Sequence, residues 1–201
     1  MEPELRRANL AADPLEQFRI WFAEAAGALD VPEAVALATA SPAGAPSVRM
    51  VLLKGFDERG LVFYSHYNSR KGRELEANPQ AALLFHWRPL GRQVRVEGRI
   101  ERLPGEESDA YFASRPRDAQ LGAAVSRQSE PLGSRAELDE RLAELGSELD
   151  DSPVPRPPTW GGYLLLPEAW EFWQHRSSRL HDRFRYTLKR GGGWSVSRLF
   201  P

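Results

Sequence analysis

The sequence predicts a mainly β fold with peripheral helices, its antiparallel sheet closing into a barrel. Three observations predict it. Short runs rich in β-branched and aromatic residues recur along the chain, about nine of them. Most connections between these runs are too short for a parallel crossover. Roughly four or five stretches with helical apolar spacing interrupt them.

The elements follow in order. Asp13 suits a helix N-cap, Pro14 the first helical position, and Glu16 a capping-box spacing. Leu15, Phe18, Trp21, Phe22 and Leu29 then recur near helical period. Residues 34–40 are a short apolar strand, and 41–44 a Ser-Pro-Ala-Gly turn. Residues 47–56 and 61–65 continue an antiparallel meander across a turn at 57–60. A helix starts near Asn68 or Ser69 and stops at Asn78-Pro79. Residues 81–87 and 93–103 are two further strands; in the second, Val94, Val96 and Ile100 share a face. Residues 104–126 are helical in two pieces broken at Pro116. Residues 134–149 form an amphipathic helix with Leu138, Leu142, Leu145 and Leu149 on one side. A proline-rich connector, 150–158, leads to strands near 161–166, 169–173, 183–188 and 194–199. The tail is too short for a core of its own, so residues 1–201 are expected to form a single domain. Residues 1–13 are expected to be a flexible arm, and 160–201 to pack back onto the barrel.

Composition excludes several function classes. The chain has no cysteine, which removes disulfides, thiolate catalysis and cysteine-ligated metals. No apolar run approaches the ~20 residues of a membrane span, and the first residues lack a signal peptide's apolar core. The expected compartment is the cytoplasm. The four histidines show no metal spacing, so no metal is expected. No dinucleotide fingerprint, phosphate-loop motif or nucleophile elbow is present. Net charge is −1, with 27 basic against 28 acidic residues, which disfavours nucleic acid.

That neutrality is uneven. Residues 134–151 hold seven acids against two arginines, whereas Arg176, Arg179, Arg183, Arg185, Lys189 and Arg190 face only Asp182. Four of six tryptophans (Trp160, Trp170, Trp173, Trp194) fall in the last 42 residues. A cationic, aromatic region on a neutral protein points to a small anionic ligand.

Arg70 and Lys71 open a helix whose free N–H groups favour a phosphate; the alternative is a solvated basic turn. Arg49 and Lys54 stand an odd number apart in an apolar strand, so a regular strand turns one of them inward. Tyr111 and Arg115 share a helix face and can grip a phosphate; the alternative is a surface arginine stacked on a tyrosine. Gln93 and Gln128-Ser129 can read the edge of a heterocycle. In 170–183, Trp170 and Trp173 can wall in a flat ring, and Arg179, His181 and Arg183 alternate to one side of an extended segment. The alternative there is core tryptophans with acid-paired arginines.

These segments together resemble the pyridoxamine 5′-phosphate oxidases, flavoproteins of vitamin B6 metabolism. The resemblance rests on Arg49-Met50-Val51-Leu52-Leu53-Lys54, Phe63-Tyr64-Ser65, Ser69-Arg70-Lys71, Arg92-Gln93-Val94, Tyr111-Phe112 with Ser114-Arg115-Pro116-Arg117-Asp118, and Val125-Ser126-Arg127-Gln128-Ser129. It continues through Glu171-Phe172-Trp173-Gln174, Arg179-Leu180-His181-Asp182-Arg183 and the closing Arg198-Leu199-Phe200-Pro201, in family order.

The resemblance implies an FMN-binding split β-barrel and a homodimer with FMN at the interface, which residues 160–201 help to form. It implies FMN contacts from Arg49, Met50, Val51, Leu52, Leu53, Lys54, Tyr64, Ser65, Arg70, Lys71, Gln93, Gln128, Ser129, Trp173 and Arg183. It implies a substrate phosphate held by Lys54, Tyr111 and Arg115, with Arg179 and His181 over the substrate ring as catalytic residues. The implied reaction oxidises pyridoxamine or pyridoxine 5′-phosphate with dioxygen to pyridoxal 5′-phosphate, releasing hydrogen peroxide and, from the amine, ammonia. Two departures stand out: Ala119 replaces a usual serine, and the family's longer N-terminal arm is missing. Other readings are a related split-barrel flavin oxidase acting on a phenazine-type ring, and a non-catalytic flavin- or pyridoxal-phosphate-binding protein.

Overall fold

The architecture follows from how one sheet closes on itself. The computed structural model describes residues 4–201. Its elements are α1 (Pro14–Ala26), β1 (Ala34–Ala40), β2 (Pro46–Leu52), β3 (Gly55–Phe56), β4 (Leu61–His66), α2 (Arg70–Ala77) and β5 (Gln80–Trp87). There follow β6 (Arg92–Arg102), α3 (Gly105–Ser114), α4 (Arg117–Val125), α5 (Arg135–Leu149), β7 (Trp160–Gln174), β8 (Asp182–Leu188) and β9 (Trp194–Arg198).

The sheet runs in the order β2-β1-β5-β6-β7-β4-β3, and every pairing is antiparallel. Its two ends, β2 and β3, are separated in sequence by Leu53 and Lys54 alone. That short link draws the ends together and curls the sheet into a half-barrel. Leu53 N–H donates to the Glu33 carbonyl on one side (2.9 Å), and Lys54 N–H to the Val62 carbonyl on the other (2.8 Å). The run 47–56, expected as one strand, is therefore broken at this seam.

β7 is the second organiser. Its first half pairs with β4 and its second half with β8, while β6 follows its other edge throughout. The sheet forks there, which is the split of the barrel. Two tail strands were expected here; one strand passes through Pro167. A bulge between Glu97 and Gly98 absorbs the irregularity. Gly98 is required: a Cβ there would stand 2.0 Å from the Leu166 carbonyl oxygen.

α1 caps the barrel core. Asp13 accepts from Leu15 N–H, as the N-cap pattern predicts. Phe18 meets Phe56 at 5.0 Å, Phe85 at 5.1 Å and Trp170 at 5.4 Å between ring centroids. A second cluster joins Phe112, Leu121, Ala123, Val154 and Trp160 to Leu142, Leu145 and Leu149 of α5, fixing the helical layer beside β4 and β7.

Of the expected arm, 1–13, residues 1–3 lie outside the described residues, and 4–13 lie against the fold. Leu5 and Leu10 are buried, Leu5 N–H donates to Asp182 (3.3 Å), and Tyr186 donates to the Ala11 carbonyl (2.8 Å). Two leucines at that spacing have more to gain from the core than from water.

Candidate functional site

Barrel closure brings the end of β2, the end of β4, the start of α2 and the turn between α3 and α4 around one cavity of about 630 Å³. Its wall is a stack of rings. Tyr64 lies on Tyr111 (3.8 Å between centroids, 15° between planes), and Trp160 continues the stack 5.4 Å from Tyr64. Offset stacking of this kind makes a flat apolar surface. The Arg115 guanidinium lies over Trp160 at 4.9 Å, and its Nη1 is buried with no hydrogen-bond partner among the described residues.

The opposite end is built on α2. Ser69 caps the helix by accepting from Gly72 N–H, and Arg70 N–H donates to Ser129 Oγ (3.1 Å). Lys71 turns inward, donating to Gln128 Oε1 (2.7 Å) and Ser65 Oγ (3.1 Å). Burial, aided by the Arg49 charge, pushes the Lys71 ammonium down to about 8. Burial likewise lowers Arg115, and it lowers His66 together with the charges of Lys71 and Arg115. Lys54, at the seam, is the third cation on the lining. No carboxylate lines the cavity among the described residues. Three cations without an acid, two of them desolvated, describe a cavity made for anions.

The residues singled out in the sequence divide among several places. Met50, Val51, Leu52, Lys54, Tyr64, Ser65, Lys71, Tyr111, Arg115 and Gln128 line this cavity. Leu53 points into the core. Arg49 and Arg70 are held by Glu74 beside the cavity, at 3.3 and 2.9 Å. Gln93, Trp173 and Arg183 line a different hollow of about 280 Å³, where Arg183 pairs with Glu171 at 2.7 Å. His181 packs 4.5 Å from Trp173, its Nδ1 accepting from Arg176 N–H (3.1 Å).

Arg179, His181 and Arg183 do not alternate along an extended segment. Ser177–Arg179 is a tight turn with Ser178 and Arg179 at φ 58° and 60°, which carries Arg179 off the strand. Sequence reasoning missed His66 and Glu74, and it noted Trp160 only as one of the tail tryptophans. The signal for Glu74 was its i+4 spacing from Arg70; His66 carried none.

Half-barrel, ring wall and a cationic cavity with no carboxylate on its lining among the described residues define a split-barrel protein whose cavity suits a flat, negatively charged group. Comparison with known proteins narrows the class. The family described as pyridoxamine 5′-phosphate oxidase matches residues 22–146, and its C-terminal dimerisation region matches 160–201. The chain therefore belongs to the pyridoxamine 5′-phosphate oxidase family. A pyridoxine/pyridoxamine 5′-phosphate oxidase from Rubrobacter xylanophilus is 59% identical over 98% of this chain and 94% of its own length. One from Cupriavidus taiwanensis is 54% identical over 98% and 93%. Among solved structures, PhzG from Burkholderia lata, in complex with tetrahydrophenazine-1-carboxylic acid, superposes with TM-score 0.91 at 35% identity, covering 98% of both chains. No helix among the described residues is long and apolar enough to cross a membrane.

The start of α2 tolerates no side chain at Gly72: a Cβ there would stand 2.0 Å from the Tyr67 carbonyl oxygen. Gly72→Ala is expected to push α2 off the turn at 66–69 and cost about 1–3 kcal/mol. Denaturant unfolding measures the loss. The stabilisation that inorganic phosphate gives the parent should vanish in the variant, read from Tm.

Proposed function

We propose that the chain is an FMN-dependent oxidase that converts pyridoxamine 5′-phosphate and pyridoxine 5′-phosphate to pyridoxal 5′-phosphate. Dioxygen is the terminal acceptor, and hydrogen peroxide is released, with ammonia from the amine. The observation that carries this reading is the cavity's cationic lining, free of carboxylates and set beside a ring wall. Two phosphates and two flat rings need just such a set.

The residues present fit the cofactor. Lys71, Ser65, Gln128, Ser129 and the first turn of α2 form a donor-rich cradle for its phosphate. The outer edge of β2 is unpaired among the described residues, so Met50, Val51 and Leu52 can offer backbone groups to a heterocycle. When bound, FMN supplies the hydride acceptor and passes the electrons on to dioxygen. The protein's part is placement. Lys54, Tyr111 and Arg115 hold the substrate phosphate; the buried, unpartnered Nη1 of Arg115 gains a partner there. A phenazine carboxylate, the ligand of the PhzG relative, has no phosphate to offer these three.

Arg179 and His181 orient the reacting carbon, and Gln93, Trp173 and Arg183 contact the flavin. Within one chain none of these five lines the cavity: Gln93, Trp173 and Arg183 line a second hollow that shares no residue with it, and His181 lines a third. A site containing both sets is therefore assembled by two copies of the chain. Val48, Met50 and Leu52 on β2 and Leu84 on β5 are exposed apolar residues suited to that contact.

Three outcomes are expected. The purified chain, reconstituted with FMN, should form pyridoxal 5′-phosphate and peroxide from pyridoxamine 5′-phosphate; a chain that cannot take up FMN overturns the reading. FMN affinity, followed by quenching of flavin fluorescence, should weaken as pH rises through about 8. The sign follows from Lys71: a phosphate dianion favours its charged form, so binding takes up a proton, and removing that proton opposes binding. A flat profile from pH 7 to 9.5 would count against Lys71 as a phosphate ligand. Finally, Ala119 lines the cavity beside Arg115 and Pro116. Ala119→Ser should lower KM at unchanged kcat by the equivalent of one neutral hydrogen bond, about 0.5–1.5 kcal/mol.

A further inference from the structure

Behind the phosphate cradle lies a buried carboxylate that the reaction does not use. Glu74, on α2, is 7% exposed. Its Oε2 accepts from Thr39 Oγ1 of β1 (2.5 Å), Ser47 Oγ of β2 (2.5 Å) and Arg49 Nη2 (3.3 Å). Its Oε1 accepts from Arg70 Nε (2.9 Å). The two hydroxyls also accept from Arg49: Thr39 Oγ1 at 2.6 Å, and Ser47 in a further short bond. Burial raises this carboxyl, but the bonds from Ser47, Thr39 and Arg70 outweigh it and hold it down at about 2. Glu74 is thus an anion throughout the physiological range.

The location matters more than the satisfaction. Arg70 and Lys71 are neighbours on the first turn of α2. Lys71 enters the cavity, while Arg70 is drawn back along the helix by Glu74. Arg49 is drawn across β1 toward the same carboxylate, one residue from the cavity-lining Met50. A single carboxylate therefore fixes two guanidinium groups at the rim of the cradle, on two different elements.

We propose that Glu74 is a positioning residue for cofactor binding: it holds Arg49 and Arg70 in the orientation in which their charge serves the phosphate end of the flavin. This rests on the FMN reading above. A carboxylate so close to a phosphate repels it, so its presence is explained by orientation rather than by attraction. Free arginine side chains lose rotamer entropy on binding, and held ones have already lost it.

A purely structural staple between α2 and the sheet would also disturb the cradle on the first turn of α2, but it would do so whether or not Arg70 is present. A role exercised through Arg70 instead makes Glu74→Gln cost less FMN affinity in an Arg70→Gln background than in the parent. A positioning role acts on the phosphate alone. The test is the affinity for FMN against riboflavin, which lacks the phosphate, measured by fluorescence quenching on the full chain in the parent and Arg70→Gln backgrounds. Glu74→Gln should weaken FMN binding about tenfold, the scale of one charge-assisted hydrogen bond, and leave riboflavin binding unchanged. Thr39→Val removes one of the carboxylate's donors without touching its charge and should shift the same ratio less far. If Glu74→Gln does not fold, the Thr39→Val ratio in the two backgrounds decides. A parent that prefers FMN, with an unchanged ratio, a parallel loss of both flavins in the variants or an equal FMN loss in the two backgrounds, overturns the positioning role alone. A parent with equal affinity for both flavins overturns the cofactor reading and this role with it.

Discussion

Two residues close this protein. Leu53 and Lys54 join the strand at one end of the sheet to the strand at the other, and each spends its backbone N–H on a different side of the seam. The two side chains part at the link: Leu53 goes to the core, and Lys54 goes to the cavity. With the seam drawn shut, the end of β2 stands beside the end of β4, and Tyr64 and Ser65 come to face Met50 through Leu52. Without that closure the apolar inner face and the cationic outer pocket would belong to different surfaces. Barrel closure also removes sheet edges that would otherwise invite pairing, but it leaves the outer edge of β2 open.

The site makes sense through the difference between cations with acids and cations without. Arg49 and Arg70 have Glu74, and Arg95 and Arg183 have Glu171. Lys54, Lys71 and Arg115 have no carboxylate partner among the described residues. Withdrawing an ion from water costs several kcal/mol, and without a counter-ion only a ligand can offset that cost. The paired arginines are held in place by their acids, Arg49 and Arg70 beside the cavity, and the cations without an acid stand on its lining. The acid-rich α5, which balances the chain's charge overall, takes no part in this and packs its leucines against the outer cluster.

Much of this was legible in the residues, for reasons that are local. The N-cap at Asp13 was visible, and the one at α2 was narrowed to Asn68 or Ser69, because a cap is a contact between near neighbours in sequence; the structure places the second at Ser69. The face shared by Tyr111 and Arg115 followed from helical spacing, and the place of Lys71 on the first turn of α2 from the helix-start signal at 68–69. Three features were not legible. β7 runs through Pro167 because Glu168 bulges out of its pairing with a distant strand, β6, at Glu97 and Gly98. Arg179 leaves its strand in a left-handed turn that neither it nor Ser178 advertises, since both are L-residues that seldom adopt it. The arm at 4–13 is pinned by Asp182 and Tyr186, more than 170 residues away in the chain. The assignment of partners to Arg49 and Arg183 belongs with these, because charge pairing is decided by the fold and not by spacing.

The separation of the two hollows then has a structural logic. Trp173, Arg183 and His181 lie along the late strands, where β7 has left β4 and taken up β8. The cavity lies at the other half of the same strand, where Trp160 still pairs beside β4. The fork in β7 is what sends them apart, and no rearrangement of loops in one chain would bring a residue from one half of a rigid strand to the other. In the oxidase proposed above, the two sets of groups would come from two copies, and the exposed apolar residues of β2, beside the cavity mouth, are the surface suited to that contact.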